Sequence, residues 1–340
     1  MGLINLITLG ALLATQGIAN ATNKNEVVVY TSVDDVFARP IAELFQKKTG
    51  IEVKLVTDTE ETKSTGILNR LIAEKTRPQA DVFWSGDPIR AAILKSKGVS
   101  APYLSPEAKT IPKEYSDSQG YWIGFSARAR VLLINTDKMT KDTEPNSVYD
   151  LANPKFSGLG CIANPLFGTT SMHAAAIFST LGDEKAKAFF EGLLKNKVKV
   201  LSSNGEVRRQ VSNGNCGFGV VDTDDAFEAI HDKKPVKAIF ADEKGLGSLL
   251  VPNAAVLIKD APHIGNAKKF IDFILSSEVE KKLAESDAAQ IPLRSNVPVP
   301  KHVRSLASIK VMQVDFTKLA IQLESLSQGY LKDWVNRSQK

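Results

Sequence analysis

The hydrophobic positions alternate between two periods along the chain. Residues 26–30 form a β-branched run that stops at Thr31-Ser32, and residues 51–56 and 80–84 repeat it, as expected of strands buried on both faces. Between them, Ile41, Leu44 and Phe45 fall on one helical face that stops at Gly50. Ile67, Leu68, Leu71 and Ile72 make a second stripe that ends before Pro78. Asp87-Pro88 supplies a cap and a first-turn proline for a third helix. This alternation predicts a parallel sheet covered on both faces.

After a less regular stretch carrying Pro102, Pro106 and Pro112, extended candidates follow at 121–125 and 127–135. The alternation then restarts, with strands at 160–163, 198–201 and 217–221 and helices at 169–180, 206–211 and 223–231. An apolar extended run at 251–259 precedes a helix with Phe270, Ile271 and Ile274 on one face, and 316–334 reads as a terminal helix. The pattern predicts an α/β protein of two similar units joined by two extended crossings, with no low-complexity tether. Lobe 1 is expected over 22–126 plus 253–305, and lobe 2 over 127–252 plus 306–340.

Composition narrows the class. The 340 residues are 43% hydrophobic and 24% charged, which excludes disordered, collagen-like and small disulfide-scaffold chains. The apolar run at 3–13, followed by Ala19-Asn20-Ala21, reads as a secretory signal over 1–21; the plainer alternative is a buried N-terminal helix. The run is too short for a membrane span, which needs ~20 apolar residues. In an exported chain, Cys161 and Cys216 are expected to form a disulfide; the plainer alternative is two buried thiols. The net charge of +5 is spread over doublets such as Lys47-Lys48, Lys233-Lys234 and Lys281-Lys282. Nucleic-acid binding needs a concentrated basic patch, so no nucleic-acid partner is expected.

Ligands of open parallel sheets bind beyond the carboxyl ends of the strands, where helix N-termini point. In the first unit those positions hold Thr31, Ser32, Asp34, Trp84, Ser85, Gly86 and Asp87; in the second they hold Asn164, Thr169, Thr170, Ser202-Ser203-Asn204, Asp222, Thr223, Asp224 and Asp225. Trp84 and Tyr30 are candidate aromatic walls. Plain helix capping explains each of these residue types equally well; it is the six loops together that make a cleft. Asp222-Thr223-Asp224-Asp225 could also be an aspartyl-phosphatase motif, but Ala226 stands where that motif needs Thr or Val. It is not a calcium loop, because Phe227 and Lys233 occupy its glycine and glutamate positions. GxxxxGK[ST], HExxH and GxSxG are missing, and the four histidines show no metal-ligand spacing.

The opening Val27-Val28-Val29-Tyr30-Thr31-Ser32, the turn Thr49-Gly50-Ile51-Glu52-Val53, Ala80-Asp81-Val82-Phe83-Trp84-Ser85, the crossing 126–131, residues 217–226, the run 251–256 and Ala289-Gln290-Ile291-Pro292-Leu293 together resemble the ferric-ion-binding branch of bacterial periplasmic solute-binding proteins. The resemblance implies a type II fold, with two lobes hinged over one ligand, no catalysis, and an ABC-importer permease as membrane partner. A monomer in the periplasm is expected. The branch's adjacent tyrosine ligands fall on Asp224 and Asp225, its histidine near Asp34 and its glutamate on Gly86; no Tyr occurs between Tyr149 and Tyr330. Asp34, Asp224 and Asp225 are left as hard oxygen donors for a metal. The acids put slightly more weight on a cation, either iron(III), another metal, or an organic cation such as thiamine or a polyamine. The helix N-termini and hydroxyls suit a phosphate- or phosphonate-bearing anion, provided that Arg128 crosses into the cleft. No resident cofactor is expected. The rival readings are the phosphatase and an exported scaffold with a vestigial cleft.

Overall fold

The computed structural model describes residues 25–58 and 63–339; the expected signal over 1–21 lies outside the described residues. The first unit contains β1 (Glu26–Thr31), α1 (Asp35–Thr49), β2 (Glu52–Thr57), α2 (Thr65–Ala73), β3 (Val82–Ser85), α3 (Pro88–Ser96) and β4 (Ser100–Ala101). The chain then crosses on β5 (Ile123–Asn135), a single strand buried over its whole length where two extended segments were expected. The second unit holds β6 (Gly160–Ala163), α4 (Gly168–Leu181), α5 (Asp183–Lys195), β7 (Lys199–Leu201), α6 (Asn204–Ser212), β8 (Phe218–Asp222), α7 (Thr223–His231) and β9 (Val236–Ile239). β10 (Leu250–Ile258) returns, followed by α8 (Ile264–Ile274), α9 (Ser277–Glu285), α10 (Phe316–Gln328) and α11 (Tyr330–Ser338).

Local chemistry sets these elements. α1 carries Asp35 in its first turn and Lys47 and Lys48 in its last, complementing the helix dipole, and it stops at Gly50, whose φ of 69° is left-handed. Its inner face packs Phe45 edge-on to Phe270, with ring centroids 5.1 Å apart. Truncating a buried Phe of this kind to Ala costs ~3–5 kcal/mol. The expected terminal helix breaks at Gly329 into α10 and α11. α10 packs on both α3 and α4, so it braces the two units.

The sheet runs β2-β1-β3-β10-β5-β8-β6-β7, with β4 beside β10 and β9 beside β5. β1 is parallel to β2 and β3, and β6 is parallel to β7 and β8. β10, however, is antiparallel to both β3 and β5. The first three strands are parallel as expected, and the sheet as a whole is mixed because the returning chain inserts in reverse between β3 and β5. The register slips at Pro252/Asn253, where proline offers no N–H to the ladder. Opposite this slip, Ser126 adopts a φ of 35°; its N–H donates to Glu280 Oε1 at 3.1 Å and its carbonyl accepts from Asn253 Nδ2 at 2.8 Å. Cys161 on β6 is bonded to Cys216, which precedes β8. Among the described residues no helix is long and apolar enough to cross a membrane.

Candidate functional site

A polar cleft lies between the two units. The first unit contributes Ser32, Asp34, Lys63 and Ser64; the second contributes Asn164, Phe167, Gly168, Thr169, Thr170, Ser202, Ser203, Asn204, Asp222, Asp224 and Asp225, and Arg128 enters from β5. The N-terminal ends of α4, α6 and α7 converge here, each with first-turn N–H groups that lack intrahelical partners. The units touch across the cleft, since Gly168 N–H donates to Lys63 O at 3.1 Å. Arg128 also bridges them: Nη2 donates to Gly86 O at 2.5 Å and Nη1 to Asp222 Oδ2 at 3.0 Å. Gly86 permits this approach, because a Cβ there would lie 3.2 Å from Arg128 Nη2.

Asp222 is the electrostatic hub. It is 1% exposed; Oδ1 accepts from Arg130 Nη1 at 2.7 Å, and Oδ2 accepts from Arg128 and from the Thr169 hydroxyl at 2.8 Å. Burial opposes its charge, but Arg130 and Arg128 outweigh burial and hold its pKa below the usual carboxylate range. Asp224 responds oppositely: burial, aided by Asp222 and Asp34 against Arg128, pushes it up to about 6. Burial and then the neighbouring Asp224 raise Asp225 well above the usual range. Arg128 is driven upward by Asp222 and Asp224 despite its burial. Asp34 pairs with Lys63. Asp222 is thus held by two buried arginines and Asp34 by the half-buried Lys63.

The structure brings Ser32, Asp34, Thr169, Thr170, Asp222, Asp224 and Asp225 to the cleft. The candidate metal ligands Asp224 and Asp225 lie with Asp222 so that one oxygen from each falls within 4.8 Å of the others. Other expected residues lie behind the wall. Thr31 donates to Trp84 O at 2.8 Å, Ser85 to Asp87 O at 2.6 Å, and Thr223 Oγ1 accepts from Ala129 N–H at 3.2 Å. Asp87 is fully buried and caps α3 by accepting from Arg90 N–H at 3.0 Å, so capping accounts for its residue type. The expected aromatic walls are corrected. Trp84 is fully buried against Phe125, and Tyr30 is buried with its hydroxyl on Glu74 and Arg70 over its ring. Strand alternation turns both rings into the core, and the aromatic at the cleft is Phe167.

Arg130 and Lys63 escaped the sequence reading. Arg130 is 1% exposed behind the cleft and donates to Asp222, Thr169 and Thr170. Its signal was present: Arg128 and Arg130, two positions apart in an otherwise apolar strand, share one face and need buried anionic partners. Lys63 lies in a turn with no comparable pattern.

A mixed α/β fold in two units, joined by two crossing strands with a polar cleft where helix N-termini meet, defines a two-lobed solute-binding architecture. The chain belongs to the bacterial extracellular solute-binding protein family, whose profile matches residues 78–319. It is 27% identical over 302 residues to iron uptake protein A1 of Synechocystis sp., covering 85% of this chain and 80% of that protein. It is also 27% identical over 338 residues to a putative 2-aminoethylphosphonate-binding periplasmic protein of Salmonella typhi, covering 93% and 95%. The crystal structure of iron-bound HitA from Pseudomonas aeruginosa superposes with a TM-score of 0.81 at 24% identity, covering 89% of this chain and 98% of that one. These are binding proteins and not enzymes, which removes the phosphatase reading.

Proposed function

We propose that this chain is the periplasmic receptor of an ABC importer and that it closes its lobes over a small organic solute bearing a phosphate or phosphonate group. The observation that carries this reading is the pairing of the cleft acids: Asp222 is held by Arg128 and Arg130, and Asp34 by Lys63. With those acids compensated, the first-turn N–H groups of three helices and the hydroxyls of Ser32, Thr170 and Ser203 favour an anion. Asp224 and Asp225 would accept from a hydroxyl or ammonium at the solute's other end. One relative is named for iron and another for a phosphonate, so both chemistries belong in the test.

A second reading, metal capture, draws on the closeness of Asp222, Asp224 and Asp225. Against it, Arg128 Nη1 stands 3.7 Å from Asp224 Oδ2, a position from which it repels a cation. A thermal-shift panel of inorganic phosphate, methylphosphonate, 2-aminoethylphosphonate, glucose 6-phosphate, iron(III) citrate, thiamine and spermidine tests the choice. A compound at 100 times its Kd adds about 2.7 kcal/mol, and the same compound should compact the protein in small-angle scattering. Stabilisation by iron or the amines alone would overturn the anionic reading.

A further inference from the structure

We infer that Arg130, buried behind the cleft, is a positioning residue that makes the cleft floor a surface of hydrogen-bond donors and so selects acceptor-rich anions over cations. The inference rests on the anionic reading above and deepens it.

A guanidinium has five N–H donors and no acceptor, so whatever it touches has an acceptor position filled. Nη1 gives one N–H to Asp222 Oδ1 at 2.7 Å and shares the other between Thr169 Oγ1 at 3.0 Å and Asn204 Oδ1 at 3.2 Å. Nη2 donates to Thr170 Oγ1 at 3.1 Å and Val220 O at 3.3 Å. One buried cation therefore grips the first turns of α4 and α6 and the end of β8.

The consequences follow from lone-pair counting. A hydroxyl has two acceptor positions and one O–H. Thr169 Oγ1 accepts from Arg130 and also from Asn204 Nδ2 at 2.9 Å, so it can only donate, and its O–H goes to Asp222 Oδ2. Asn204 Oδ1 accepts from Arg130 and from the Thr170 hydroxyl at 3.2 Å. That fixes which end of the amide faces Arg130 and turns its NH₂ towards Thr169 Oγ1 at 2.9 Å and Asp222 Oδ2 at 3.5 Å. Thr170 keeps one acceptor position and an O–H that can rotate from Asn204 to a solute. A metal or ammonium ion needs free lone pairs, and on this floor Arg130 fills one on each of Thr169, Thr170, Asn204 and Asp222. A phosphate oxygen needs donors, and the rotatable Thr170 O–H remains for it beside the first-turn N–H groups of α4.

Arg130 also borders a small apolar cavity of about 30 Å³ among Ile162, Ile177, Phe190 and Leu193. Arg130→Ala would join its own volume to that cavity and leave room for a small guanidinium.

The test is calorimetric titration of the full chain with inorganic phosphate, methylphosphonate and spermidine. Wild type should bind one of the two anions in preference to spermidine. Arg130→Lys and Arg130→Ala should each weaken that anion at least tenfold. Millimolar methylguanidinium should restore Arg130→Ala, and methylammonium should not. Asn204→Asp, which puts an acceptor where the NH₂ stands while leaving Arg130 in place, should weaken the anion at least 100-fold and improve spermidine; this variant decides the matter if Arg130→Ala does not fold. Folded Arg130 variants within threefold of wild type, or an equal loss for the anion and spermidine, would overturn the inference while leaving the anionic reading intact. A wild type that binds spermidine and neither anion overturns both.

Discussion

Asp222→Asn removes a single charge from a buried triad and leaves its shape almost unchanged. In the wild type both carboxylate oxygens are occupied, Oδ1 by Arg130 at 2.7 Å and Oδ2 by Arg128 at 3.0 Å and Thr169 at 2.8 Å. The asparagine amide can accept at one end only, and its NH₂ must face a guanidinium. Each ion pair near 4 Å is worth ~4 kcal/mol at an effective dielectric of ~20. Much of this is offset by the desolvation already incurred, and loss of one partner from a buried pair typically costs 3–5 kcal/mol. At roughly 2.1 cal/mol/K per residue over the about 310 described residues, the unfolding entropy is ~0.65 kcal/mol/K, so Tm should fall by about 5–8 °C. Urea titration followed by the fluorescence of Trp84, Trp122 and Trp334, all buried, measures the loss directly. The effect has a defined pH window. Because the pKa of Asp222 is depressed in the folded chain, its contribution is fully present above the unfolded value of ~3.9 and is lost as pH falls through the folded value. The gap between wild type and variant should therefore be full at pH 7 and close below pH 4. A loss under about 1 kcal/mol at pH 7, or one that persists unchanged to pH 3, would refute the hub role of Asp222.

Asp224→Asn should act with the opposite sign. The folded pKa of Asp224 is raised to about 6, so its contribution is full below ~3.9 and is lost as pH rises through the folded value; the variant should gain on the order of 2 kcal/mol at pH 8 and nothing at pH 4. Denaturation midpoints at the two pH values measure this. The Cys161–Cys216 bond spans a sequence separation of 55, so reduction or Cys216→Ser should cost about 4 kcal/mol. Thiol titration of denatured, unreduced protein should find no free thiol.

What the sequence revealed followed from local periodicity. The strand–helix alternation located β1, β2, β3, β6, β7 and β8, and Asp87-Pro88 marked the start of α3, because those signals lie within a few residues of the elements that they define. The antiparallel insertion of β10 was not legible, since a run buried on both faces reads alike in either direction. The cleft followed the same division. Strand-end acids and hydroxyls could be placed at the ends of strands, but which of them face the cleft depends on side-chain direction at each end: Trp84 turns inward while Asp34 does not. The charge balance needed Arg128, Arg130 and Lys63, which come from a crossing strand and a turn far away in sequence. Without them the acids read as an uncompensated cation site.

The reversed course of β10 also orders the chain in time. Residues 254–257 close the edge of β3 at 82–85, so during synthesis that edge waits unpaired while the whole second unit is made. A truncated product ending before residue 250 would present β3 as an open template for pairing with other chains. Completion of the first sheet is thus tied to synthesis of the second unit's strands, and the last helices, α10 and α11, then pack on α4 and α5.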